Sequence, residues 1–276
     1  MLKTRVITAL VLMALLLPSL FYLPQSAWAL LVAGFVGVAA WEWGGLLGKS
    51  SGWRIALGVL TAVVCAVVAR LDPNALGAGD AFVPARAWVL LAYGISGGFW
   101  CFVMPLWLRN KWSLSGAAGL AVGAVVLLPT WLAMVQLRAL GPGILLAVFA
   151  VVWMADIAAY FSGKAFGKHR LAPTISPGKT WEGALGAGLG VVIYGVAIRQ
   201  FFSLDLMPLF WWVAALLGVT AVSIVGDLYE SLLKRKAGIK DSSNILPGHG
   251  GVLDRIDSLT STLPVVALAW LLFSIR

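Results

Sequence analysis

The chain has 276 residues, 61% of them hydrophobic and 11% charged, with a mean hydropathy of +0.95. Soluble domains carry about 25% charged residues, so these values exclude an ordinary soluble protein and predict an all-α, polytopic integral membrane protein. The net charge of +9 does not indicate nucleic acid, because most of the basic residues collect on one side of the apolar segments, where they attract anionic headgroups and nucleotides.

Apolar runs recur along the chain, and a run of about 20 residues crosses roughly 30 Å of hydrocarbon as a helix. Nine spans are predicted: Val6–Tyr22, Trp28–Gly48, Ile55–Ala69, Ala87–Leu108, Ser115–Leu137, Gly143–Phe161, Gly183–Ile198, Leu206–Gly226 and Leu259–Ile275. Helices are expected because backbone groups in lipid must be paired within the segment. The absence of polar/apolar alternation argues against a β-barrel. Lys3, Arg5 and Ala27-Trp28-Ala29 mimic a cleavable signal, but the apolar run is longer than a signal core, which predicts a retained first helix.

Basic residues set the orientation. With the N-terminus inside, only Arg70, Arg86, Arg138, Arg199 and Arg276 fall outside, and the remaining Lys and Arg lie inside. This predicts an N-in, C-out topology. Cys65 and Cys101 fall within predicted spans without metal-ligand spacing and read as small packing residues. Gly119/Gly123 and Gly186/Gly190 are GxxxG pairs suited to close helix approach, within the chain or between copies.

One membrane domain is expected over residues 1–276. Residues 1–140 read as mostly hydrophobic scaffold spans. Residues 141–276 carry two long inside loops, Gly163–Glu182 and Asp227–Ser258, and hence the site. Asp72, Asp80 and Asp205 lie in outside segments and read as solvated. Glu42 and Asp156 lie within spans, where an ionisable group costs several kcal/mol and is by default a functional candidate.

The densest polar stretch is Ser231–Asp257. Asp227 and Glu230 share a helix face if the eighth span continues, with Ser231 beside them. Asp254 and Asp257 repeat the spacing before the ninth span. Four carboxylates from two helix ends suit Mg²⁺, which binds through one or two carboxylates plus substrate phosphates. The alternative is that they neutralise Lys234, Arg235, Lys236, Lys240 and Arg255. Those cations are also what a polyphosphate needs. His249-Gly250-Gly251 adds a donor beside a backbone able to approach a ligand closely. Gly178-Lys179-Thr180 is not a P-loop, because position 173 is Pro173 and no preceding strand is expected, but Lys179 remains a candidate phosphate contact.

These residues carry a resemblance. Ser231, Lys234-Arg235, Lys240-Asp241, Ser243, Pro247, His249-Gly250-Gly251, Asp254-Arg255 and Asp257 match the signature of the bacterial phosphatidate cytidylyltransferase (CDP-diacylglycerol synthase) family. Ser176–Gly183 and Asp227-Leu228-Tyr229-Glu230 also resemble family segments. The resemblance implies that CTP and phosphatidic acid give CDP-diacylglycerol and pyrophosphate. It implies Mg²⁺ within a paired-metal site, the second ion being one such as K⁺, and a homodimer in the bacterial inner membrane with its site on the cytoplasmic side. It further implies Asp227 and Asp254 as metal ligands with Glu230 and Asp257 close by.

The residue chemistry adds roles. Lys234, Arg235, Lys240 and Arg255 are expected to clamp phosphates, His249 to assist transfer and Lys179 to hold the lipid phosphate. Ser176, Asp156, Gly250 and Gly251 complete the expected substrate-binding set. Two other readings stand beside this one. A CTP-dependent lipid or polyprenol kinase would have similar charge needs. A transporter would use Glu42 and Asp156 along a path, but shows charges nearer the midplane and repeat symmetry.

Overall fold

The computed structural model describes residues 2–203 and 207–274. Asp205, Leu206, Ile275, Arg276 and the side chains of Lys3 and Arg5 lie outside the described residues.

The chain is nearly all helix. Its elements are α1 (Leu2–Tyr22), α2 (Gln25–Leu46), α3 (Ser51–Leu71), α4 (Ala87–Gly98), α5 (Met104–Asn110), α6 (Gly116–Leu140), α7 (Pro142–Phe166), α8 (Trp181–Phe201), α9 (Leu209–Lys236) and α10 (Leu253–Ser274). A π-turn, Phe99–Val103, joins α4 to α5. Among the described residues, eight helical segments are long and apolar enough to cross a membrane, α4 and α5 counting as one, and the apolar part of α1, Val6–Tyr22, is shorter.

Two helices run differently from the sequence expectation. α9 continues past Gly226 to Lys236, so Asp227, Glu230 and Lys234 are helical. α10 begins at Leu253 rather than Leu259, which puts Asp254 in its first turn. Polar residues at these helix ends lower local hydropathy, but the i→i−4 ladder continues through them, and hydropathy alone places the ends too early or too late.

A small hairpin was also not expected. β1 (Arg170–Ala172) pairs antiparallel with β2 (Ser176–Thr180). A strand therefore does accompany Gly178-Lys179-Thr180, against the sequence reading. It runs through these residues instead of ending before them, and Pro173 still breaks the P-loop spacing. Thr180 then caps α8, its hydroxyl accepting from the Gly183 N–H at 3.1 Å.

α2, α6 and α10 form much of the interior, with Trp28, Trp43, Trp131 and Leu263 buried among them. Both Gly pairs work within the chain. A Cβ on Gly119 would strike Leu47, just past α2, one on Gly123 would strike Trp43 of α2, and one on Gly186 or Gly190 would strike Ser162 or Ala158 of α7. Cys65 is buried as expected, but Cys101 is exposed on the π-turn and does not pack in the interior. Nor is Asp72 merely solvated: it accepts from Ala75 N–H and Trp88 Nε1 and pairs with Arg86 at 3.4 Å.

Polar contacts collect at two ends of the bundle. At one end, Arg138 of α6 donates to Leu20 O at 2.9 Å, to Gln25 Oε1 at 2.7 Å and to Leu23 O. It thereby satisfies carbonyls left open where α1 gives way to α2. At the other end lie the C-terminal ends of α2, α5, α7 and α9 and the starts of α8 and α10. Their links include Lys236 to Lys111 O and Ser113, Arg235 to Ile175 O and Glu42 to the start of α10. Thr8 of α1 also reaches this end, donating to Pro247 O at 2.9 Å.

Arg138→Met removes three donors at a buried junction. We expect its melting midpoint in detergent to fall by about 5 °C or more relative to the wild type. An unchanged midpoint would show that the α1–α2 junction does not depend on this side chain.

Candidate active site

The described cavity nearest these polar residues has a volume of about 370 Å³ and lies among α7, α8, α9, β2 and the start of α10. One face of α7 supplies Asp156, Tyr160, Gly163 and Lys164, which recur at helical spacing. α8 adds Gly183, Ala184 and Ala187, α9 adds Ser223 and Asp227, β2 adds Lys179 and α10 adds Ser258. One part of the wall is small and apolar, and the other carries charge. Asp156 presents accessible surface here. Lys179 makes an ion pair with Asp227, whose other oxygen accepts from Ser231 Oγ at 3.3 Å.

Asp227, Asp257 and Asp156 are electrostatic neighbours, and Arg255 acts on Asp156. The approach of α9 to α10 makes this possible. A Cβ on Gly226 would stand 2.8 Å from Asp257 O and 2.4 Å from Ser261 Oγ, so only glycine lets the helices meet beside Asp227.

A second polar centre lies just behind, where the end of α9, the signature loop and the start of α10 meet. Asp254 is buried there, and four donors surround its carboxylate. Lys234 Nζ is 2.6 Å from Oδ1, while Oδ2 accepts from Ser242 N at 2.8 Å, Ser242 Oγ at 2.9 Å and Gly251 N at 2.8 Å. Lys234 also lies 3.0 Å from Glu230 Oε1. Neutralisation, one of the two sequence readings, thus accounts for Lys234.

Glu42 of α2 enters the same centre and is fully buried. Its Oε1 accepts from Ser243 Oγ at 2.6 Å and Val252 N at 3.0 Å. Its Oε2 accepts from Leu253 N at 2.6 Å and Ser242 Oγ at 3.2 Å. Glu42 therefore takes up the amides at the start of α10, where a helix carries partial positive charge, and Asp254 takes up the Gly251 amide just before it.

The glycine pair follows from this arrangement. Gly250 has φ +78°, and a Cβ there would lie 2.6 Å from Asp254 Oδ2. At Gly251 a Cβ would lie 2.1 Å from Ser242 Oγ and 2.2 Å from Glu42 Oε1. The sequence suggests a backbone that admits a ligand. In the structure the groups that approach it closely are the protein's own carboxylates.

The expected site residues thus divide. Asp156, Lys179 and Asp227 line the cavity, with Asp257 and Arg255 in electrostatic reach. Asp254, Lys234, Gly250 and Gly251 belong to the carboxylate centre, with buried Glu230 beside them. His249 stands in the same loop, where its N–H donates to Leu246 O at 2.8 Å and its buried Nδ1 has no hydrogen-bond partner among the described residues. Arg235 and Lys240 are exposed, and Ser176 begins β2. Sequence reasoning missed Lys164, Thr180, Ser223 and Ser258. The helical stripe from Asp156 to Lys164 was the available signal for Lys164.

Among the described residues, no three Asp, Glu, His or Cys side chains already form a metal cage. Mg²⁺ does not require one, since substrate phosphates and water complete its shell. The hard oxygens of Asp227, Asp257 and Asp156 fit such an ion. Asp254 fits less well, because its carboxylate is taken by four protein donors.

Comparison with known proteins decides the class. The profile of the Cytidylyltransferase family matches residues 3–273. The chain belongs to this family. It is 44% identical over 283 residues to the phosphatidate cytidylyltransferase of Pseudomonas aeruginosa, covering 98% of this chain and 97% of that protein. It is 34% identical over 281 residues to the Haemophilus influenzae phosphatidate cytidylyltransferase, covering 96% of each. The enzyme of that name from Staphylococcus aureus is 38% identical over 162 residues, 57% of this chain and 60% of its own length. The chain is a nucleotidyltransferase, and the resemblance seen in its signature extends over nearly its whole length.

Gly251→Ala should displace Glu42 and Ser242, the latter a donor to Asp254, and lower catalytic activity at least about tenfold. Gly143→Ala, on α7 where a Cβ meets nothing within 4 Å, should keep wild-type activity. Equal activities in the two variants would contradict the packing described for the loop.

Proposed function

We propose that the chain transfers the cytidylyl group of CTP to phosphatidic acid, giving CDP-diacylglycerol and pyrophosphate. The observation that carries this reading is the cavity that places Lys179 and Asp227 at one end of the helix bundle, beside an apolar wall of α7 and α8. Such a site suits a substrate with a phosphate on a lipid body, met by a water-soluble nucleotide. Full-length similarity to enzymes named phosphatidate cytidylyltransferase supports it.

The nucleophile is an oxygen of the lipid phosphate, which carries about −1.5 to −2 charge near pH 7, so no protein nucleophile is needed. It attacks the α-phosphorus of CTP, and pyrophosphate leaves. The protein's task is alignment and charge neutralisation. Lys179 leaves Asp227 to hold the lipid phosphate, with Lys164 beside it. Arg255, Arg235 and Lys240 attract the triphosphate, and His249 donates at the reacting phosphates.

Asp227, with Asp257 and Asp156 beside it, would hold Mg²⁺, which when bound supplies positive charge to the triphosphate. A second ion such as K⁺ would belong to the same acidic cluster. The carboxylates at one face and the basic bias of the loops there support placing the site on the cytoplasmic side of a bacterial inner membrane, N-terminus in and C-terminus out. We further propose a homodimer, with residues 1–140 mainly scaffold and residues 141–276 bearing the site.

Purified protein with phosphatidic acid, α-labelled CTP and Mg²⁺ should move the label into lipid and release pyrophosphate, and EDTA should stop it. Release of CDP with no labelled lipid would instead identify a kinase. Within this assay, Lys179→Ala should raise KM for phosphatidic acid about tenfold while KM for CTP stays within about twofold. A change confined to CTP would assign Lys179 to the nucleotide. Asp227→Asn should lower kcat at least about 100-fold at saturating Mg²⁺, and wild-type turnover would refute its metal role.

A further inference from the structure

We infer that Glu42, from a scaffold helix far from the signature in sequence, is a positioning residue for the transfer reaction. It sets the signature loop and the first turn of α10 in register with α9. The inference rests on the proposed function for its kinetic part. Its structural part stands separately.

The hydrogen-bond pattern is specific to a carboxylate. Each Glu42 oxygen receives one backbone N–H, Val252 on Oε1 and Leu253 on Oε2, and each also receives one serine hydroxyl. A side-chain amide offers one acceptor and one donor. In Glu42→Gln, either flip of the introduced amide would aim an N–H at a backbone N–H. The hydroxyls of Ser242 and Ser243 can rotate, but the two backbone amides cannot. Buried donors lose their partner and the first turn of α10 loses its negative cap.

The consequence reaches the cavity through α10. Asp254, Arg255 and Asp257 follow Leu253 directly, and Asp257 lies against Gly226, next to Asp227. Anchoring the amides of Val252 and Leu253 therefore fixes where Arg255 and Asp257 stand relative to Asp227. It also means that these two amides are not free to receive a substrate phosphate, although a helix start commonly does so. Phosphate contacts in the cavity must come from side chains. Lys179 and Asp227 sit on β2 and α9, not on the segment Glu42 holds, so substrate capture depends on it less than alignment does.

The test compares Glu42→Gln with Glu42→Asp, which keeps both acceptors one methylene further back. Glu42→Gln should lower kcat at least about tenfold, with KM for CTP and for phosphatidic acid within about threefold of wild type. Glu42→Asp should recover most of the lost kcat. Trypsin should cut after Arg255 in detergent-solubilised Glu42→Gln and spare that bond in the wild type and in Glu42→Asp.

Wild-type kcat in Glu42→Gln would overturn the inference. So would losses in both variants that follow the fall in folded protein measured by thermal melting, since Glu42 would then serve folding alone. A wild-type protein that makes no labelled lipid would count against the proposed function. The trypsin pattern would still decide whether Glu42 holds the start of α10, and cleavage after Arg255 equal in wild type and Glu42→Gln would refute that.

Discussion

The loop that leads into α10, and the first amide of that helix, need negative partners, and two buried carboxylates provide them. Glu42 takes the amides of Val252 and Leu253, and Asp254 takes those of Ser242 and Gly251. Without them, a helix start with several open N–H groups would lie inside a bundle of apolar helices. An unpaired buried donor costs about 1–3 kcal/mol. The serines, the glycine pair and Lys234 are all placed by this requirement. Lys234 offsets the charge of Asp254 and Glu230, and glycine at 250 and 251 leaves room for the carboxylates. The signature is thus in part a solution to packing charge inside a membrane protein, and the proposed chemistry falls to other residues.

Those other residues surround the cavity. Helices α7 and α8 approach through glycine and alanine, which leaves an apolar wall beside Lys179 and Asp227. α9 and α10 approach at Gly226, which brings Asp257 near Asp227. An amphiphilic lipid phosphate and a polar nucleotide have opposite solvation needs. A cavity at one end of a helix bundle, apolar along one wall and charged along another, answers both.

Much of this was legible in the sequence. Apolar runs gave the helices, because backbone pairing in lipid leaves few alternatives. The spacing of Asp227, Glu230 and Ser231 gave their shared face once α9 was allowed to continue. Asp156 was singled out by the cost of a charge within a span, and the structure puts it in the cavity. Other features were hidden. Glu42 is about 200 residues from its partners, and no local pattern says which distant amides it will cap. The same criterion that flagged Asp156 flagged Glu42, but depth alone does not separate a cavity residue from a cap. The roles of Gly250 and Gly251 depend on neighbours from α2 and the loop. The hairpin before α8 was missed because its strands are only three and five residues long.

The central claim, that two carboxylates hold the start of α10 closed, is open to direct measurement by hydrogen exchange on the wild-type protein in detergent or nanodiscs. The amides of Gly251, Val252 and Leu253 should exchange much more slowly than those of Lys240 and Asp241, exposed residues of the same loop, though both sets lie at the polar end of the bundle. Equal, rapid exchange in both sets would contradict the account, because it would mean that neither Glu42 nor Asp254 engages those amides in solution.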